Sequence, residues 1–186
     1  QRQMCIRDSI NSISATKPGF INFKIEDHYF QSEIKNILNE SQNYGRGSNG
    51  IGKTANVEFV SANPTGPLTV GHGRNAILGD AVSNILEWQG YKVTREYYFN
   101  NAGRQMRILA QSVEARYFEL LGQDLELPQD GYQGQYIINI AQSILNQKGR
   151  GLKSGDPIFK STAENTMFDK IKYTLNELKI YFDQFT

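Results

Sequence analysis

The sequence predicts an α/β protein built on a doubly wound parallel sheet, and three observations carry that prediction. The first is a short apolar strand over residues 56–60, with Val57, Phe59 and Val60 as its buried positions. The second is the turn and helix that come after this strand. Asn63-Pro64-Thr65-Gly66-Pro67 stops regular structure, and helical spacing then resumes with Ile77, Ala81 and Ile85 on one stripe, Leu78, Val82 and Leu86 beside it, and Gly90 as the stop. The third is a second strand over residues 92–99, KVTREYYF, rich in β-branched and aromatic side chains. A strand–helix–strand order joins parallel neighbours by a right-handed crossover, and such sheets take ligands beyond the carboxyl ends of their strands. Residues 63–72 and 100–103 both lie just past strand ends and are expected to face one crevice.

The remaining elements can be read in chain order. Residues 1–9, QRQMCIRDS, have no period and lack the charged-then-apolar order of a secretory signal; they resemble a non-native leader. Residues 19–25 alternate Phe20, Asn22 and Lys24 against Ile21, Phe23 and Ile25, the pattern of a half-buried strand. A helix over 27–40 is expected to pack its Phe30, Ile34 and Ile37 stripe on a neighbour, and residues 43–55 read as a Gly-rich linker. Beyond the second strand, Met106, Leu109, Val113, Tyr117 and Leu120 mark a helix ending at Gly122. A Pro/Asp/Gly loop leads to a helix marked by Ile137, Ile140, Ala141 and Ile144, and a polar linker leads to a last helix marked by Phe168, Ile171, Leu175, Leu178 and Phe182. The expected divisions are residues 10–42, the linker over 43–55, a nucleotide-binding strand–helix–strand region over 56–122 and a helical region over 123–186.

Composition narrows the class. The 186 residues are enough for a real core, 39% of them are hydrophobic, and no apolar run approaches the ~20 residues that span a bilayer. A single cysteine, Cys5, cannot form an internal disulfide, and no Cys/His cluster has metal-ligand spacing. The expectation is a cytoplasmic chain with no membrane contact and no bound metal. A net charge of +1 gives no bulk signature of nucleic-acid binding.

Chemistry concentrates where the Pro/Gly turn meets the helix. Gly71 and His72 fall at the helix N-terminus, whose unbonded N–H groups and positive dipole end attract phosphate, and glycines let the backbone come close. A rival lies upstream, where Gly47 to Thr54, GSNGIGKT, fits the phosphate-loop formula G-x-x-x-x-G-K-[ST] and offers Lys53 and Thr54. That formula needs a strand before the loop and a helix opening at the Lys-Thr. The expected neighbours are the reverse, a helix before and a strand after.

Residues 57–80, VEFVSANPTGPLTVGHGRNAILGD, followed by GYKVTREYYFNNAGRQ and more loosely by ARYFELLG and GYQGQYI, resemble the class I aminoacyl-tRNA synthetases, and within them the arginyl-tRNA synthetases. The resemblance covers residues 43–185, and its core run of about 45 residues is specific in a way that a four-letter signature is not. It implies a Rossmann-like catalytic domain, of which this chain would hold the first half, with a helical insertion and the end of an N-terminal α+β domain that contacts tRNA. It implies arginine, ATP with Mg²⁺, and tRNA(Arg) as partners, no tightly bound cofactor, and a monomer when complete. By position it assigns ATP contacts to Pro67, Thr69, Gly71 and His72, with Thr69 and His72 catalytic, and arginine contacts to Glu58, Ser61, Ala62, Asn63 and His72. Two departures stand out: Thr69 occupies the first His of the family's H-x-G-H signature, and Asn101 replaces the Asp of an NDAG-type turn. A hydroxyl can hydrogen-bond a phosphate but carries no imidazolium charge. Glu58 by itself would suit lysine as well as arginine. With no KMSK-like loop in the sequence, the chain alone is expected to be inactive; a phosphate-loop NTPase and a non-catalytic tRNA-binding module are the other readings.

Overall fold

The computed structural model describes residues 9–186, so the leader expectation for 1–9 lies outside it except at Ser9, whose carbonyl accepts from the Glu26 N–H at 3.0 Å. The chain divides into two compact units, Gln1–Gly47 and Ser48–Thr186.

In the first unit, strands β1 (Ile10–Thr16) and β2 (Phe20–Ile25) form an antiparallel hairpin in which Ile13 lies opposite Phe23 and Ala15 opposite Ile21. Helix α1 (Asp27–Glu40) comes next, closed by a short 3₁₀ turn at Ser41–Asn43. The helix has its expected bounds, but its apolar stripe is not packed. No residue of α1 is buried, Phe30 and Ile34 are more than half exposed, and the half-buried strand expected over 19–25 is likewise mostly exposed. Spacing gives a helix an apolar face without stating what covers it.

The second unit holds the parallel sheet. Strand β3 (Thr54–Glu58) leads through helix α2 (Val70–Trp88) to β4 (Lys92–Tyr97), which pairs parallel with β3 from Thr54↔Lys92 to Glu58↔Glu96. Helices α3 (Gly103–Leu120), α4 (Gln135–Lys148) and α5 (Pro157–Glu177) come next, and a two-residue strand β5 (Gln184–Phe185) returns parallel to β4. The sheet order is therefore β3-β4-β5, an α/β arrangement of the Rossmann-like kind. One core cluster joins Leu109, Val113 and Tyr117 of α3 to Ile137, Ile140 and Ile144 of α4 and Phe159 and Met167 of α5. A second joins Phe59, Ala76 and Tyr97 to Ile171 and Leu175 of α5 and to Ile180, with Phe182 packed against it. The Phe182 ring lies 4.4 Å from that of Phe59 and 5.4 Å from that of Tyr97, centroid to centroid.

Two expectations need correction. The face that α2 turns to the sheet is not the Ile77/Ala81/Ile85 and Leu78/Val82/Leu86 stripe, since Ile77, Leu78 and Ile85 are each about 60% exposed. The buried residues are the small ones, Ala76, Gly79 and Ser83, which bring the helix axis close to the strands. A Cβ on Gly79 would lie 2.2 Å from Cγ of Phe59. The last helix also ends earlier than its period suggested. Lys179 takes φ 58°, the left-handed turn that closes many helices, so Phe182 reaches the core from a loop and not from a continuing helix.

Candidate active site

The parallel pairing brings the carboxyl ends of β3 and β4 to one edge of the sheet, and the segment between β3 and α2 is built across that edge. The ladder continues one step past Glu58, where the Phe59 N–H donates to the Glu96 carbonyl at 3.2 Å. The backbone then folds on itself. Val60 takes φ 64° and Ser61 φ 41°, and the Ser61 N–H closes a three-residue turn onto the Phe59 carbonyl at 2.9 Å. A β-branched residue at positive φ is a genuine outlier, and a γ-turn with a left-handed centre is strained, so the expected strand end at Val60 is instead a sharp corner.

Several polar groups of that corner are bonded by other elements. The Val60 N–H donates to Oδ1 of Asn75 on α2 at 2.5 Å, and the Tyr98 N–H donates to the Ser61 hydroxyl at 3.1 Å, which stands in for a strand carbonyl. The buried Tyr97 hydroxyl donates to the Ala62 carbonyl at 2.8 Å, and burial pushes that phenol up to about 12. Asn63 Nδ2 donates to Oε1 of Gln105 in the first turn of α3 at 2.6 Å. That bond ties the loop after β3 to the start of the helix after β4, at a residue two positions beyond the 100–103 segment expected to share its crevice. Tyr136 of α4 donates its hydroxyl to the Thr65 carbonyl at 2.7 Å, with its phenol shifted upward by burial.

Helix α2 opens one residue before Gly71. Thr69 is the N-cap: its hydroxyl accepts the His72 N–H at 3.5 Å, while the Thr69 N–H donates to Nδ1 of His72 at 3.1 Å. This is a capping box with an imidazole in the place usually filled by Glu or Gln. With Nδ1 accepting from a backbone N–H, the proton of a neutral ring sits on Nε2, leaving one donor that the cap does not use. His72 is half-buried, Thr69 and Pro67 are exposed, and Gly71 and Gly73 border space in which a Cβ would touch nothing closer than 3.6 Å. Glu58 is exposed at the end of β3, so its carboxylate is not buried among the apolar strand residues around it.

The upstream glycine loop is part of the scaffold. The Gly50 N–H donates to the Gln89 carbonyl at 2.8 Å, a Cβ on Gly50 would overlap the Tyr91 ring, and the Lys53 ammonium lies 5.9 Å from that ring centre. A strand, not a helix, begins at Thr54, so the phosphate-loop formula at 47–54 lacks the helix N-terminus that would hold phosphates. Asn101 donates to Glu164 of α5 at 2.6 Å, and the N-cap of α3 is Ala102 without a side-chain bond, so the polar turn at 100–105 is not a side-chain cap.

With this geometry in place, residues 33–183 match the family model described as tRNA synthetases class I (R), catalytic domain. The chain belongs to that family. It is 50% identical over 179 residues to an arginine–tRNA ligase from Chlorobium phaeobacteroides, covering 95% of this chain and 32% of that protein. It is 46% identical over 178 residues to the arginine–tRNA ligase of Desulfotalea psychrophila, with the same coverage. A solved structure from Campylobacter jejuni, assigned as an arginyl-tRNA synthetase, superposes with a TM-score of 0.73 at 29% identity over 87% of this chain and 36% of that one. The chain thus spans about a third of the length of the curated synthetases it matches. Among the described residues there is no group of three or more His, Cys, Asp or Glu that could hold a metal, and no helix long and apolar enough to cross a membrane.

Asn75, Gln105 and Tyr136 are site-forming residues that sequence reasoning missed. Each acts through a contact 15 to 71 residues away along the chain, and no local pattern announces such a contact.

Proposed function

We propose that this chain supplies the first half of the catalytic site of an arginine–tRNA ligase, which activates arginine with ATP to arginyl adenylate and transfers it to tRNA(Arg). The observation that carries the reading is the arrangement at the sheet edge: a pinned turn after β3 leads directly into a glycine-flanked helix N-terminus that presents His72 with one free donor. Adenylate formation needs that kind of site. The arginine carboxylate oxygen attacks the α-phosphorus of ATP in line, the bond to the bridging oxygen breaks, and pyrophosphate leaves with the electron pair, so the protein must position both reactants and stabilise phosphate charge. Mg²⁺ enters as counter-ion of the triphosphate.

The roles are those that the family resemblance assigns to these positions, and the geometry is compatible with them. The helix N-terminus at Val70 and Gly71 and the Nε2–H of His72 meet the phosphates, with Pro67 and Thr69 shaping the approach; Thr69 acts first as the cap that orients the imidazole. Glu58, Ser61, Ala62 and Asn63 take the arginine end, where an exposed carboxylate beside ordered polar groups suits a guanidinium or an α-amino group.

The test is binding of a non-hydrolysable arginyl-adenylate analogue to the complete polypeptide in which this sequence occurs. His72→Ala should weaken it by about 10²-fold, the scale of one charge-stabilising donor. Lys53→Ala should leave it within about threefold, because Lys53 lies over the ring of Tyr91, just past the C-terminal end of α2, whereas His72 stands at the N-terminal end. The opposite pattern, with plain nucleoside triphosphate binding as well as the analogue, would overturn the reading.

A further inference from the structure

We propose that Asn75 is a positioning residue: through its bond to the Val60 N–H it holds Val60 in the left-handed region and fixes the arginine end of the site against α2. The inference rests on the proposed function, which gives residues 58–63 to arginine, and it adds a residue that contacts neither substrate.

Val60 carries a branched Cβ at φ 64°, and Ser61 comes next at φ 41°. Left to its own preference, Val60 would return to the extended region and continue β3. The turn persists because both of its amides are bonded inward. Ser61 closes onto Phe59, and the Val60 N–H, which lies outside the β3–β4 ladder, meets Oδ1 of Asn75 at 2.5 Å. Since the donor is a backbone N–H, the side-chain oxygen and not the amide nitrogen must face it. Asn75 stands three residues after His72, about one helical turn along α2. One rigid helix therefore carries both the phosphate-facing imidazole and the group that places the arginine strip.

The two functions separate on substitution. The bonds that orient His72 run to Thr69 and do not involve Asn75, so loss of the Asn75 oxygen leaves the phosphate end in place. Val60 relaxes toward the extended region, and Ser61 and Asn63 shift with it. The effect falls on arginine.

Two measurements test this. A residue at positive φ gives a strong intraresidue Hα–HN NOE, so the Val60 signal should be strong in the wild type, weak in Asn75→Leu and retained in Asn75→Asp, which keeps the acceptor oxygen. In arginine-dependent ATP–pyrophosphate exchange by the complete polypeptide carrying this sequence, Asn75→Leu should raise KM for arginine about tenfold, the scale of one strained residue released, with KM for ATP within about twofold. Asn75→Asp should restore arginine KM to within about threefold, and Val60→Gly combined with Asn75→Leu should recover part of the loss, since glycine adopts the turn without a Cβ penalty. An unchanged Val60 NOE in Asn75→Leu, or equal rises in both KM values, would overturn the inference and leave the proposed function standing. Exchange that proceeds without arginine in the wild type would overturn the proposed function itself, and the ligand end of the inference with it.

Discussion

Replacing Gly79 with alanine should destabilise the second unit, although alanine is the better helix former. Gly79 lies in the interior of α2, where Gly→Ala ordinarily stabilises by about 1 kcal/mol. Here the new Cβ would meet Cγ, Cδ2 and Cβ of Phe59 at 2.2, 2.4 and 2.5 Å. Those atoms belong to a side chain that is 5% exposed and stacked on Phe182, so it cannot swing away without opening the cluster that also holds Tyr97 and Ile171. Overpacking of this kind costs about 1–3 kcal/mol, and more where backbone must move, so the net change should be a loss of about 1–2 kcal/mol. Gly73 on the same helix is the control. A Cβ there would touch nothing within 4 Å, and Gly73→Ala should stabilise by up to about 1 kcal/mol. Urea denaturation monitored by far-UV circular dichroism gives both signs from the midpoints. If Gly79→Ala unfolds at the same or higher urea than wild type, α2 does not lie against Phe59 and the small-residue packing is wrong. Because Phe59 begins the γ-turn, Gly79→Ala should also weaken adenylate-analogue binding beyond its effect on stability.

Further predictions concern the groups that pin the site to the sheet. Tyr97→Phe removes the hydroxyl from the Ala62 carbonyl and should cost about 1–2 kcal/mol in chemical denaturation. The Tyr97 phenol is raised from 10.0 to about 12, so the folded state holds its proton longer than the unfolded state does; its contribution is complete below pH 10 and is lost as pH rises to 12, a fall of about 2–3 kcal/mol. That alkaline slope should flatten in Tyr97→Phe, and an unchanged slope would refute the assignment. Arg95 bonds Glu87 at 2.6 and 3.0 Å and Asn84 at 2.7 Å, and lies 3.6 Å from Asp80, tying α2 to β4. Arg95→Met should cost about 1–2 kcal/mol, and Arg95→Lys should recover little of it because an ammonium cannot reproduce the fork. The bond from Arg95 holds the Glu87 carboxyl below its ordinary 4.5, so this contribution is present above pH 4.5 and is lost as pH falls through the lowered value. An acid unfolding midpoint that does not move in Arg95→Met would remove Glu87 from the account.

The sequence exposes helices better than it exposes what they pack against. Asp27–Glu40 is where periodicity places it, and Ile137, Ile140, Ala141 and Ile144 of α4 are all buried as their spacing predicts, since an amphipathic face against one neighbouring layer is what a 3.6 period encodes. Periodicity misleads for α2. Close approach to a sheet selects for the absence of side chain, so the packed face is Ala76, Gly79 and Ser83, and the apolar residues that dominate the period point elsewhere. Strand β1 is invisible because INSISAT alternates without a buried face, and six of its seven residues are exposed. In the site, the turn and the helix start are legible from Pro, Gly and Thr. The positive φ at Val60 is not, since local preference there points the other way and the acceptor its N–H meets lies 15 residues on, at Asn75.

The departure at Thr69 has a physical consequence that the motif alone does not reveal. A threonine is a good N-cap and a histidine a poor one, and here the Thr69 hydroxyl and backbone N–H both engage His72, the hydroxyl taking its N–H and the backbone binding its ring. The residue in the first signature position thus orients the second, and the imidazole is held in one tautomer by a bond that no phosphate need supply. Preorganisation of this kind exchanges a second charge for a fixed donor direction, which on the proposed function matters most where charge develops on a phosphate near the helix N-terminus. The same economy operates one turn later at Asn75, where a neutral oxygen fixes a strained corner. Neutral groups bonded to the backbone, Thr69 and Asn75, thus occupy the first turns of α2, and on the proposed function Glu58 and the single free donor of His72 are the groups left to meet the charged ends of the substrates.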